Sequence, residues 1–65
     1  MDPTATHEIM TDETREPDER IEAAVNLRDW LRGGGFMPDG LGTDGNARFA
    51  LYADIKALTA SRGPA

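Results

Sequence analysis

Between Arg32 and Phe49 the chain reads RGGGFMPDGLGTDGNARF, a stretch holding six of its seven glycines. Each glycine inside a helix costs roughly 1 kcal/mol relative to alanine, so no helix runs through such a stretch. The apolar pattern on either side is therefore divided into two separate helices with a connector between them.

The first helix is expected over residues 17–32. Pro17 suits the first helical position, and Asp18 and Glu19 place negative charge where the helix dipole favours it. At about 100° per residue, Ile21, Ala24, Val25, Leu27 and Leu31 share one broad face, with Trp30 at its edge. Glu19, Glu22, Asn26 and Asp29 fall opposite. Arg32 suits the last turn, and Gly33 is expected to supply a left-handed cap.

The second helix is expected over residues 44–62, capped by Thr43 or Asp44 and stopped by Gly63-Pro64. Leu51, Ile55 and Leu58 line one face with Ala47 above them. Phe49, Ala53, Ala57 and Ala60 lie almost opposite, and a helix apolar on two sides needs two surfaces to pack against. The connector, residues 33–43, is longer than most links between packed helices. Phe36, Met37, Pro38 and Leu41 punctuate it, which predicts an ordered loop folded back across the helix pair.

Residues 1–16, MDPTATHEIMTDETRE, carry only Ala5, Ile9 and Met10 as hydrophobes beyond the starting Met. That composition buries too little surface to offset the entropy of ordering, so it reads as a disordered acidic tail. The expected fold is all-α: this tail, then a two-helix antiparallel hairpin domain over residues 17–63 with an ordered glycine-rich loop.

A chain of 65 residues forms one small domain whose core is marginal without a staple. There is no cysteine and only one histidine, His7, so disulfides and conventional thiolate or His-based metal sites are excluded. No apolar run resembles a signal peptide or approaches the length of a bilayer span, which leads us to expect a cytoplasmic protein. Six arginines against one lysine, with nine alanines and seven glycines, is the usage of a GC-rich genome, as in a bacterium or its phage. The net charge of −5 is uneven: residues 1–16 carry five acids and one Arg, whereas residues 33–65 carry three acids and three bases. A nearly neutral domain with an acidic arm lacks the basic footprint that direct nucleic-acid binding requires.

Four motifs point to chemistry, and each lacks a necessary part. Gly40-Leu41-Gly42-Thr43-Asp44-Gly45 matches the spacing G-x-G-x-x-G, but FMPD precedes it instead of a buried strand. A P-loop beginning at Gly35 would need Lys where Leu41 stands. A calcium-loop register from Asp39 meets Ala50 at the position of the bidentate Glu. His7-Glu8 opens like H-E-x-x-H, yet its last position is Thr11. The only serine, Ser61, has no histidine on a rigid scaffold. Neither catalytic residues nor a cofactor, nucleotide or metal site is expected. A DNA-reading helix-turn-helix is disfavoured too, because its turn spans only three or four residues.

The function expected is that of a small non-catalytic protein-binding module, regulatory or inhibitory, working through apolar helix faces. Its contact residues are expected to be Trp30, Phe36, Phe49, Tyr52, Ala53 and Ala57, since aromatics dominate interface energetics and alanines permit close approach. The expected core is Ile21, Val25, Leu31, Leu51, Ile55 and Leu58. Two alternatives come from other classes. One is a structural protein whose copies assemble into a helical bundle, with a homodimer as the simplest form. The other is an acidic mimic of nucleic acid, or a DNA-side regulator, competing for a basic surface.

Overall fold

The computed structural model describes residues 2–60 as three helices: α1 (Pro3–Thr11), α2 (Pro17–Arg32) and α3 (Gly45–Ala60). The all-α expectation stands, with one helix more than the two-helix hairpin. The expected stop at Gly63-Pro64 lies outside the described residues.

The additional helix corrects the reading of residues 1–16 as a disordered tail. Asp2 caps α1 by accepting hydrogen bonds from the Thr4 and Ala5 backbone N–H groups at 3.0 and 3.3 Å, and Pro3 occupies the first helical position. Pro3 and Met10, two turns apart, are both buried. A nine-residue helix is marginal in water on its own, so its docking onto α2 is what holds it. At the junction Asp12 accepts from the Thr14 N–H at 3.0 Å and from its hydroxyl at 2.6 Å. Arg15 lies 3.5 Å from Asp12 and 3.4 Å from Glu19. Arg20 Nε then donates to the Met10 carbonyl at 3.0 Å, tying the end of α1 to the first turns of α2.

The central helix, α2, packs on both of the others, while α1 and α3 do not pack on each other. Its buried residues are Ile21, Ala23, Ala24, Leu27 and Leu31. Ala23 and Ala24 carry almost no side chain and let neighbouring helices approach closely. The core joins Met10, Ala23, Ala24, Leu27, Leu31, Met37, Leu51 and Ile55, with Ile9, Trp30, Leu41, Ala47, Tyr52 and Leu58 packed against it. The expected core therefore shifts. Ile21, Leu31, Leu51 and Ile55 are buried, but Val25 is half-buried and outside the cluster, and Leu58 is half-buried at its margin. The reason is α1, which draws the Ala23 side of α2 inward and leaves Val25 at the rim.

The end of α2 also differs in detail from expectation. Gly33 has φ −80°, and the left-handed residue is Gly34 at φ +90°. Two reversed hydrogen bonds close the helix: Gly34 N–H donates to the Leu31 carbonyl at 3.1 Å, and Gly35 N–H donates to the Trp30 carbonyl at 2.9 Å. Trp30 Nε1–H donates to the Phe36 carbonyl at 2.9 Å, folding the loop back over the indole. Met37 and Pro38 are buried beyond it, and Asp39 N–H donates to Thr4 Oγ1 at 3.0 Å. The connector is thus a strap running from the end of α2 to the start of α1. Arg48 Nη2 donates to the Leu31 carbonyl at 2.8 Å, placing a cation from α3 on the negative end of the α2 dipole. Arg28 meets Ile55 and Lys56 while Leu31 meets Arg48, so α2 and α3 run antiparallel.

Candidate functional site

Asp44 starts α3 by accepting the Ala47 N–H on Oδ1 at 2.7 Å, which settles the choice between Thr43 and Asp44 as its cap. From there, helical periodicity divides the side chains into two faces. Leu51 and Ile55 are buried against α2, with Ala47 and Leu58 beside them. The opposite face carries Phe49, Ala53, Ala57 and Ala60, all exposed, with Ala50 and Asn46 at its margin.

Phe49 is 76% exposed, the most open large hydrophobe among the described residues. The loop does not reach it, because Met37 is buried in the core and Phe36 pairs with Trp30. Covering a phenylalanine is worth about 1.5–3 kcal/mol, so a single phenyl ring left in water on an alanine-rich face is a strong local incentive for contact. Lys56 and Asp54 flank this face, and neither forms an ion pair among the described residues.

The other expected contact residues do not join this face. Trp30 is half-buried and meets the ring of Phe36 edge-on, with centroids 5.3 Å apart. Phe36 itself is 65% exposed. These two form a separate aromatic corner at the end of α2, floored by Gly33, Gly34 and Gly35. Tyr52 is half-buried on a flank of α3, where it lines a groove with Arg28, Ile55, Lys56 and Thr59. Sequence reasoning did not single out Arg28. Its signal was the placement of a cation at the edge of the apolar face of α2, one turn before Arg32.

The loop and tail motifs take definite places as well. Gly40 and Gly42 adopt φ +85° and +88°, a conformation that glycine reaches without strain. The α3 N-terminus they lead into is occupied by the Asp44 carboxylate, on an N–H that a phosphate would otherwise take. His7 and Thr11 are both helical, although they lie in the stretch expected to be disordered. Thr11 Oγ1 donates to the His7 carbonyl at 3.0 Å, back-bonding within α1. Among the described residues no group of three or more His, Cys, Asp or Glu is placed to hold a metal ion. No described helix is long and apolar enough to cross a membrane.

No family model matches the chain, and no curated protein or solved structure matches it either.

Proposed function

We propose that the chain is a small non-catalytic protein-binding module, regulatory or inhibitory in role, whose contact surface is the outer face of α3. The single observation that carries this reading is the exposure of Phe49 together with Ala53, Ala57 and Ala60 on a helix whose inner face is already packed. An aromatic anchor beside small residues suits a helix-on-helix contact, where the ring supplies affinity and the alanines allow the backbones to approach.

Self-association is the second reading, favoured by the distribution of size along this face. Phe49 stands at one end of it and Ala57 two turns further along. In an antiparallel twofold pairing centred on Ala53, each Phe49 would lie over the Ala57 of the other copy, which is self-complementary.

The test replaces Phe49 with a photo-cross-linking phenylalanine in the native cell and compares it with the same probe at exposed Glu13. Sedimentation of the purified chain over about two orders of magnitude in concentration runs alongside, because association depends on concentration by mass action. A discrete adduct at position 49, lost on Ala53→Glu/Ala57→Glu, supports the reading, and its mass separates a foreign partner from a second copy. A monomer at every concentration with no adduct beyond the control overturns it.

A further inference from the structure

The seam between α2 and α3 holds a groove of about 240 Å3 lined by Arg28, Tyr52, Ile55, Lys56 and Thr59. The chain has twelve acids and seven bases, yet no carboxylate lines this groove and two cations do. The local sign of charge is thus the reverse of the molecule's.

Its polar groups are largely unspent. Lys56 makes no ion pair within the described chain, and the Tyr52 hydroxyl has no hydrogen-bond partner there. Arg28 reaches only Asp29, with Nε and Nη2 each 3.5 Å from Oδ1. Consecutive residues on a helix do not face one another, so this pair is long and poorly aligned. Arg28 Nε is shut off from solvent without a hydrogen bond, so the guanidinium is under-satisfied within the chain. Thr59 is different: its hydroxyl already donates to the Ile55 and Lys56 carbonyls at 2.9 and 3.1 Å. It therefore presents its methyl group, alongside Ile55, as an apolar wall.

We infer that this groove takes a glutamate side chain presented by a partner protein, with Arg28, Lys56 and Tyr52 as donors to the carboxylate and Ile55 against its aliphatic stem. The inference rests on the protein-binding reading above and adds the chemistry of the partner. Charge complementarity carries it, since two cations and a phenol from two helices line a groove that no carboxylate of the chain lines. Phosphate is the poorer fit. Phosphate sites draw on free backbone N–H groups at helix starts or in anion-binding turns, whereas these walls are mid-helix and their N–H groups are spent in the helical ladder.

The experiment titrates the full chain with an acetylated peptide of alternating alanine and glutamate while following its amide and arginine side-chain resonances. The same peptide with glutamine and inorganic phosphate serve as comparisons. The expected result is saturable shifts centred on Arg28 Nε–H and the amides of Tyr52, Lys56 and Thr59. Affinity should weaken about tenfold or more in Arg28→Gln/Lys56→Gln and fall with added salt. Tyr52→Phe should weaken it less while leaving the fold intact, which keeps the test decisive if the double variant unfolds. Equal shifts with the glutamine peptide, shifts centred elsewhere, saturation by phosphate alone, or no shift at millimolar peptide would each overturn the inference. Cross-linking at position 49 does not depend on Arg28 or Lys56, so failure here is distinguishable from failure of the protein-binding reading.

Discussion

The indole of Trp30 lies across Gly35 so closely that a Cβ on residue 35 would collide with ring atoms Cε2 and Nε1. The same indole donates Nε1–H to the carbonyl of the following residue, Phe36. One ring thus fills the space beside the glycine and satisfies a loop carbonyl at once. This relationship explains a glycine whose φ is not left-handed: closeness of approach, not backbone freedom, requires it there.

Gly35→Ala is therefore expected to displace Trp30 and destabilise the chain by about 1–3 kcal/mol, the usual range for overpacking. Gly45→Ala should do the opposite. A Cβ there meets nothing within 4 Å and the position opens α3, so a gain of about 0.4–1 kcal/mol is expected. Urea unfolding of both variants, followed by tryptophan fluorescence, checks the pair.

Met10 is 2% exposed and belongs to the same core as Leu27 and Leu31. Met10→Ala should cost about 2–5 kcal/mol, whereas a disordered tail would make the substitution neutral. Deleting residues 2–11 should go further and strip helical signal from the rest of the chain, because the side of α2 that α1 covers would face water. Circular dichroism melts of the two variants decide between a docked helix and a dispensable tail.

Arg48 bridges α3 to the Leu31 carbonyl at the end of α2. Arg48→Met keeps much of the aliphatic length but removes the donor and the charge at the helix end. A loss of roughly 1–2 kcal/mol is expected, smaller in high salt for the wild type because part of the effect is electrostatic. Denaturant midpoints at low and high ionic strength measure it.

Asp12 is held below the ordinary aspartate range, first by the Thr14 hydroxyl and then by the Thr14 backbone N–H, with Arg15 and Arg20 adding to the effect against partial desolvation. A carboxyl whose folded pKa is depressed contributes stability above its unfolded pKa and loses it as pH falls through the folded value. The α1–α2 junction should therefore loosen as pH falls from the ordinary aspartate value towards the lowered folded one. An NMR titration of the Asp12 carboxyl should give a low midpoint that moves up in Thr14→Val; an unchanged midpoint would remove the Thr14 hydroxyl as a cause.

Much of the architecture is readable from local chemistry. Pro17 and its acids start α2, the glycines after Arg32 end it, and Asp44 caps α3, because each signal acts on backbone groups within a few residues. The inner and outer faces of α3 follow from its periodicity for the same reason. Asp2-Pro3 carried an equally local start signal for α1, but Pro3 and Met10 make too sparse an apolar face to declare a helix by themselves. That helix exists through its packing on α2 and its hydrogen bond to the loop, and such long-range burial leaves no periodic trace in a nine-residue segment. The displacement of Val25 by Ala23 in the core follows from it. So does the groove, since Arg28 and Lys56 stand far apart in the chain, and only the antiparallel packing of α2 on α3 turns two unrelated cations into neighbours.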